Sequence, residues 1–283
     1  MRVARQGKFL ACLLACLAFF AGARAADGRV TFSIAVVPQF PAVEIHTNWT
    51  PVLERLSRET GYRFTLTITS GIPAFEDAVL AGTPDFAYMN PYHQVMATRT
   101  HGYVPLLRDS NPLTGILVVR QDDPIKSVRD LDGKEIAFPA PNAFGASLWI
   151  RALLAEREKI NIVPVYVKTH SNAYRQVAVG KMAACGGINH TLADEPEAVR
   201  SALRILLETD GVPPHPLSAH PRVPEKVREA VTNTLLRMAG DTAGRALLAG
   251  MQMPVPVRAN YAADYRPLEE YGLDKYVVRP SRQ

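Results

Sequence analysis

The sequence predicts an α/β fold with two lobes, each a doubly wound, mostly parallel sheet with a ligand cleft between the lobes. Short apolar segments alternate with amphipathic segments of helical period, and Gly or Pro separates them. This alternation occurs in two sets, and a Pro-rich return segment follows the second set. Strand–helix–strand repeats of this length are typical of sheets covered by helices on both faces. We expect residues 26–115 and 215–283 to form the first lobe and residues 116–214 the second.

The first set alternates apolar runs with helical patterns. We predict strands at residues 30–37, 64–69 and 85–89, and helices at 49–60 and 74–81. Gly61 and Gly82 follow the two helical patterns, as expected for helix ends. The third strand leads directly into Asn90.

The second set begins with a strand at 115–120 and a helical turn at 127–131. Further predicted strands cover 134–138 and 163–169, and predicted helices begin at about Ala143 and cover 172–179. The Gly- and Pro-rich residues 211–216 indicate a linker. Helices at 224–239 and 242–249 follow, and the rest is expected to be irregular.

The first 25 residues have the layout of a secretory signal. Three basic residues precede an apolar run over 9–20, and Ala-Arg-Ala occupies 23–25. This run is too short to span a membrane, so we predict export and cleavage after Ala25. A competing interpretation is lipidation at Cys16, because residues 13–16 resemble a lipoprotein processing site. Either interpretation predicts a periplasmic protein.

The charge balance and the cysteine content further limit the classes of function that the sequence supports. The chain has 32 basic and 27 acidic residues, and four of the basic residues lie in the signal, which leaves 28 against 27. Such a balance gives no support for nucleic-acid binding. Two of the three cysteines also lie in the signal, so Cys185 is expected to be a single, buried thiol.

The strongest local candidate for a binding site is the small-residue turn Ala143, Phe144, Gly145, Ala146 and Ser147 between a strand and a helix. Its backbone N–H groups suit an oxyanion, and Asn142 is expected to cap the helix. An ordinary strand-to-helix turn is the alternative.

Side chains just after the strands are further candidates, because ligands in α/β sheets bind beyond the carboxyl ends of strands. Gln39 and Phe40 also follow a strand. The candidates assigned to ligand binding are Tyr92, His93 and His170, and after them Asn90, His190 and His215.

Catalytic and metal signatures are weak. There is no GxSxG, no HExxH and no HxxxH spacing, and the carboxylates are scattered over helix faces. We therefore predict no catalytic residues, no metal and no cofactor. A metal-binding protein and a periplasmic hydrolase remain disfavoured alternatives.

Six short motifs, in this order and spacing, resemble the periplasmic phosphate/phosphite/phosphonate-binding proteins of ABC transporters. They are WTP at 49–51, GTPDFA at 82–87, NPY at 90–92, LDGK at 131–134, VAVG at 177–180 and VPPHPL at 212–217. The resemblance covers nearly all of the chain after the signal. It implies a type II periplasmic binding fold that closes on a small anion.

The resemblance also implies roles for particular residues. The turn at 143–147, Tyr92 and His170 match positions that hold the oxyanion. His190 and His215 stand where aminophosphonate binders place acidic residues, which argues against an aminophosphonate. The expected role is delivery of phosphate, phosphite or phosphonate to an inner-membrane ABC permease, by a monomer. The alternative is ligand sensing for a membrane sensor kinase or cyclase.

Overall fold

The computed structural model describes residues 28–278, so the predicted signal peptide, residues 1–25, lies outside the described residues. Eleven strands occur within this range. In chain order they are β1 Thr31–Val36, β2 Arg63–Ile68, β3 Phe86–Tyr88, β4 Val104–Asp109, β5 Gly115–Arg120, β6 Glu135–Phe138, β7 Val163–Tyr166, β8 Ala184–Ile188, β9 Leu203–Glu208, β10 Leu217–Ala219 and β11 Pro256–Arg258.

Nine α-helices occur in the same range. They are α1 Ala42–Thr60, α2 Ile72–Leu80, α3 Pro91–His101, α4 Trp149–Leu153, α5 His170–Ala178, α6 Asn189–Ala193, α7 Glu197–Arg200, α8 Glu225–Met238 and α9 Thr242–Gly250. Short 3₁₀ turns cover Val128–Leu131, Arg266–Tyr271 and Leu273–Tyr276, and π-helical turns cover Phe144–Leu148, Leu154–Glu158 and Tyr261–Tyr265.

The strands form two sheets, which confirms the predicted two-lobed α/β class. The first has the order β11-β4-β10-β3-β1-β2, and the second has the order β7-β6-β8-β5-β9. The strand–helix–strand units give the parallel pairs, β1 with β2 and β3, and β6 with β7 and β8. Strands β10 and β5, which follow the two connections between the sheets, pair antiparallel with their neighbours.

Two connections join the sheets and lie side by side. Leu113 and Val212 form an isolated antiparallel bridge with backbone N–O distances of 2.8 and 3.0 Å. The predicted lobe boundaries, 115/116 and 214/215, fall at the start of β5 and within the return connection. That these boundaries separate two lobes that move independently stays a prediction.

Helix α1 begins earlier than the sequence predicted. Its buried stripe already includes Ile45 and continues to Leu56, so burial of this face favours helix over the whole of Ala42–Thr60. Pro51 lies inside the helix and removes only one backbone donor. Gly61 ends the helix with a φ of 76°, a left-handed conformation that favours glycine.

The residues predicted to be irregular after α9 instead form a helical C-terminal segment, residues 261–278, that contacts both sets of elements. The Tyr265 hydroxyl donates to the carbonyl of Pro214, in the return connection, at 2.9 Å. On the first side, the Tyr92 hydroxyl donates to the Asp274 carboxylate. On the second side, Arg151 donates to the Tyr276 carbonyl at 2.9 Å, and Lys275 of the segment donates to the Glu156 carboxylate at 2.6 Å. The rings of Trp149 and Tyr271 also pack together, with centroids 5.3 Å apart.

Candidate functional site

A small cavity lies where the carboxyl ends of strands from the two sheets meet. The space that can hold the centre of a water-sized sphere is only about 10 Å³, so in this arrangement the lobes leave room for about one water molecule or a small ion. From the first sheet it is lined by Val37, Gln39, Ile72, Asn90 and His215, and from the second by Ala143, Phe144, Gly145, Ala146, His170 and Ile188.

The turn at 143–146 presents free backbone donors to this cavity. The amides of Ser147 and Leu148 both donate to the Ala143 carbonyl, at 2.8 and 3.0 Å, which makes the turn wide. The amides of Phe144, Gly145 and Ala146 find no acceptor within residues 28–278. Buried N–H groups without a partner are costly, so these amides are prepared for an acceptor from a ligand.

Two glycines of the second sheet let this turn lie directly on the strands. A Cβ atom at Gly186 would lie 1.8 Å from the carbonyl oxygen of Ala146, and one at Gly115 would lie 2.4 Å from that of Gly145. Both distances are far below van der Waals contact. The absence of side chains at these glycines therefore allows the turn, with its free amides, to lie this close to the sheet.

Gln39 is a polar lining residue that the sequence did not assign to the site. Its side chain is buried, 3% exposed, and its Nε2 has no hydrogen-bond partner in the described part of the chain. Its carbonyl accepts from the backbone N–H of His170 at 3.2 Å, which joins the two lobes. The only sequence signal was position, because Gln39 is the first polar residue after β1.

Two histidines line the cavity as neutral rings. Burial lowers the pKa of His170 to about 3. Burial, and then the neighbouring histidines, hold the pKa of His215 well below its usual value, and its ring stacks on Tyr88 with centroids 5.6 Å apart. The lining residues thus carry no formal charge, and an anion would be held by dipoles and hydrogen bonds.

Asn90 lies in the cavity wall and connects the lobes. Its Oδ1 accepts from the His93 backbone N–H at 2.7 Å, which caps α3. Its Nδ2 donates to the carbonyl of Asn142 at 3.3 Å. The predicted residues that this cavity brings together are Asn90, Ala143, Phe144, Gly145, Ala146, His170 and His215.

Tyr92, Ser147 and His190 do not line this cavity. The Tyr92 hydroxyl contacts Asp274, and the Ser147 Oγ accepts from Arg151 Nε at 3.2 Å. His190 lines a separate surface depression of about 310 Å³ beside Asp109. Tyr92 and Ser147 are thus engaged by other partners, and His190 lines a different depression.

The prediction that Asn142 caps a helix is wrong. The turn begins at Ala143 without a side-chain cap. The Asn142 Nδ2 instead donates to both carboxylate oxygens of Glu76, at 3.0 and 2.9 Å, and to the Val278 carbonyl at 2.9 Å, while its Oδ1 accepts from the Val278 N–H at 3.0 Å. A buried carboxylate is the stronger partner for this amide.

His93 lies behind the cavity wall, next to this network. Its Nε2 is 3.7 Å from Glu76 Oε2, and its ring contacts Phe75. Burial raises the pKa of Glu76, but His93 and then Asn142 lower it, and the net result is a pKa below the usual value. The Glu76 carboxylate is therefore an anion that connects α2 to the second lobe through Asn142.

A wider cleft of about 260 Å³ adjoins the cavity and shares Val37 and Gln39 with it. Glu44 and Asp194 line this cleft together with aromatic side chains. Burial, and with it the negative charge of Glu195, raises the pKa of both carboxylates. The charged groups of the region thus lie outside the small cavity.

Residues 28–278 contain no group of three or more His, Cys, Asp or Glu side chains placed to hold a metal ion. In the same range, no helix combines the length and apolar character needed to cross a membrane. Cys185 is buried, as predicted, and burial raises the pKa of its thiol well above the usual value.

Two α/β lobes with a small polar cavity at their junction define a ligand-binding protein of the type II periplasmic class. Comparison with known families is consistent with this class. The family model described as "ABC transporter, phosphonate, periplasmic substrate-binding protein" matches residues 34–265. The chain belongs to this family, and the family is a substrate-binding component of a transporter rather than an enzyme.

Individual relatives are distant. The phosphate-import protein PhnD of Mycolicibacterium smegmatis is 23% identical over 171 residues, which cover 58% of this chain and 51% of that protein. The match thus spans about half the length of that relative.

Solved structures are similar in fold. PhnD1 from Prochlorococcus marinus, in complex with methylphosphonate, has a TM-score of 0.76 at 11% identity and covers 86% of this chain and 97% of its own. A binding component of an ABC phosphonate transporter from Pseudomonas aeruginosa has a TM-score of 0.74 at 12% identity, with 86% and 85% covered. A chloride-bound protein from Xanthomonas citri reaches 0.69 at 19% identity, with 87% and 98% covered.

Proposed function

We propose that this protein captures a small phosphorus oxyanion, namely phosphate, phosphite or a small phosphonate, and delivers it to an ABC importer. The observation that carries the proposal is the set of free donors around one small cavity. Residues 144–146, whose three backbone amides have no acceptor within residues 28–278, line it from one lobe, and the unpartnered Gln39 Nε2 lies in its wall on the other. Membership of the phosphonate-binding family supports the same chemistry.

Neutral donors suit an anion that must be both bound and released. The directed N–H groups replace the hydration of the oxyanion without a fixed cation in the cavity. Since donors come from both lobes, a bound anion favours the closed arrangement through contacts that the open one lacks. The backbone bond from His170 to Gln39 and the side-chain bond from Asn90 to Asn142 belong to this closed arrangement.

The remaining parts of the proposal concern location and partners. Export with cleavage after Ala25 places the protein in the periplasm, and lipidation at Cys16 would anchor it there instead. Its partner is the permease of an ABC transporter in the inner membrane. We propose that it acts as a monomer without catalytic activity.

The test is a thermal-shift and calorimetric titration of the purified protein with phosphate, phosphite and methylphosphonate, with acetate and chloride as control anions. A ligand at 100 times its Kd adds about 2.7 kcal/mol to stability, which is easily measured. Stabilisation by at least one phosphorus oxyanion is expected. Binding of acetate or chloride alone would overturn the assignment and leave only the fold.

A further inference from the structure

Arg151 is a partly buried cation that contacts the chain on both sides of the free amides at 144–146. It lies on α4, which directly continues the turn, and its side chain folds back toward the start of the helix, as long side chains on helices do. Its Nη2 donates to the Pro141 carbonyl at 2.7 Å, and its Nε donates to Ser147 Oγ at 3.2 Å. The guanidinium thus connects a residue just before the turn to the last residue of the turn.

This cation has no counter-charge within residues 28–278. Its three acceptors there are the Pro141 and Tyr276 carbonyls and the Ser147 hydroxyl, and all three are neutral. Burial lowers the pKa of the guanidinium, and the groups that oppose this effect are the side chains of Tyr166 and Tyr276 rather than a carboxylate. Arginine nevertheless stays protonated at neutral pH. Charges withdrawn from water are usually paired, so the charge of Arg151 lacks an expected partner.

Two carboxylates on neighbouring parts of the chain are engaged by other residues. Glu156, in the turn that follows α4, accepts from Lys275 at 2.6 Å. Glu76 accepts from the Asn142 side chain, with Nδ2 at 3.0 and 2.9 Å from its two carboxylate oxygens. Neither carboxylate forms an ion pair with Arg151, so the positive charge next to the turn remains uncompensated while the cavity is empty.

We propose that Arg151 is the counter-charge of the bound anion: it holds the turn at 143–147 in place and makes the site prefer dianionic to monoanionic phosphorus oxyanions. The inference rests on the proposed function and adds a charge preference to it. Arg151 does not line the cavity, so it acts as a positioning residue, through the turn, and as a charge at a distance. The anion accepts hydrogen bonds from neutral groups, and the cation on the other side of the turn supplies the opposite charge.

The expected size of the effect follows from the separation along the helix. The free amides at 144–146 precede Arg151 by roughly five to seven residues, and at about 1.5 Å per residue this places the charge about 8–10 Å from the anion. In the effective dielectric constant of about 20 near a protein surface, and with the screening that salt adds over this distance, we expect about fivefold in affinity for each negative charge on the ligand. A dianion should therefore gain about 25-fold from Arg151, and a monoanion about fivefold.

The experiment measures the Kd of phosphate, phosphite and methylphosphonate by calorimetry at pH 5, where each is a monoanion, and at pH 9, where each is a dianion. Arg151→Met keeps the straight apolar part of the side chain but removes the charge. Relative to the wild-type protein at the same pH, we expect its Kd to be about 25-fold higher for the dianion and about fivefold higher for the monoanion.

The charged groups next to Arg151 keep one charge state across this pH range. Lys275 and then Tyr276 lower the pKa of Glu156 to about 2, and the contact with Glu156 in turn raises the pKa values of Lys275 and Tyr276. In the cavity, burial lowers the pKa of His170 to about 3. A difference between the two pH values in the effect of Arg151→Met therefore reports the charge of the ligand.

Control variants separate the charge from the structural contacts. Arg151→Lys keeps the charge but lacks the planar fork that reaches both the Pro141 and Tyr276 carbonyls, so it should raise the two Kd values by the same factor. Tyr276→Phe removes a neutral hydroxyl that donates to Glu156, so a looser C-terminal segment should likewise affect both ligand charges equally. Arg151→Gln is a second neutral variant, and it should repeat the charge-dependent loss where Arg151→Met does not fold.

The outcomes distinguish a failure of this inference from a failure of the proposed function. No binding of any phosphorus oxyanion to the wild-type protein would refute the proposed function. Binding to the wild-type protein, with the same rise in Kd for monoanion and dianion in the neutral variants, would refute the counter-charge and leave the function intact. A charge-dependent loss in Arg151→Lys as large as that in Arg151→Met would do the same.

Discussion

The contact between Glu76 and Asn142 gives the sharpest prediction about stability. In Asn142→Ala, the buried Glu76 carboxylate loses the amide that lies 3.0 and 2.9 Å from its two oxygens, and only His93 at 3.7 Å remains. Hydrogen bonds to charged groups contribute about 1.5–3 kcal/mol, and a buried charge left without its partner costs about 3–5 kcal/mol. We therefore expect a loss of about 3 kcal/mol in the free energy of unfolding at pH 7.

The loss of stability in Asn142→Ala depends on pH, because the Glu76 carboxylate must be ionised for the contact to stabilise the fold. The pKa of Glu76 is lowered in the folded protein from a reference value of 4.5, so its contribution to stability is present above pH 4.5 and is lost as the pH falls through the folded pKa. The difference between the wild-type protein and Asn142→Ala should thus be largest at neutral pH and shrink in acid.

Urea unfolding followed by circular dichroism at pH 7 and pH 4 measures this difference. Asn233→Ala is the matched control, because Asn233 is an exposed asparagine bonded to Arg258 on the surface, and it should change stability by less than about 0.5 kcal/mol. A loss below 1 kcal/mol for Asn142→Ala at pH 7, or an equal loss at both pH values, would refute the role assigned to Glu76.

Three further variants test the cavity and its support. Gly186→Ala places a Cβ atom 1.8 Å from the Ala146 carbonyl, so it should displace the free amides and cost about 1–3 kcal/mol, measured by urea unfolding, together with ligand affinity. Gln39→Glu keeps the size of the side chain but adds a negative charge in the cavity, so calorimetry should detect no binding of methylphosphonate, whereas Gln39→Ala should weaken it about tenfold. Arg151→Met removes the donor to the Pro141 and Tyr276 carbonyls, at 2.7 and 2.9 Å, so limited proteolysis should cut the C-terminal segment faster.

Each of these three variants has a result that would contradict the role assigned to its residue. Unchanged stability and affinity in Gly186→Ala would show that the turn is not held by the second sheet. Wild-type affinity in Gln39→Glu would remove Gln39 from the site. Unchanged proteolysis in Arg151→Met would mean that the other contacts of the C-terminal segment are sufficient.

The sequence predicted those parts of the fold and site that depend on local pattern. Alternating apolar periods identified the two α/β sets, and the strand-end rule led to Asn90, the turn at 143–146 and His170, which line the cavity. His215 was named from the family resemblance, and it lines the cavity too. The strand-end residues could be found because the ends of parallel strands meet at one edge of a sheet.

The rest depends on partners that are distant in sequence. Tyr92 follows a strand as a ligand-binding residue would, but its hydroxyl contacts Asp274, 182 residues later. Asn142 has the residue type and position of a helix cap, yet Glu76 and Val278 take its side chain. Gln39 carried no signal beyond its position, because only the structure shows that its amide lacks a partner.

Because the C-terminal segment contacts both lobes, we expect the affinity for the anion to depend on this segment as well as on the residues that line the cavity. Residue 278 contacts Asn142 of the second lobe, Asp274 attaches the same segment to Tyr92 of the first lobe, and Tyr265 attaches it to the return connection. If the lobes separate to release the anion, they do so against these contacts, and each 1.4 kcal/mol that the segment adds to the closed form tightens apparent binding by up to about tenfold. Substitutions in this segment could therefore tune retention of the anion without changing which anion is chosen. A fluorophore attached at residue 278 would lie next to the junction and report lobe movement.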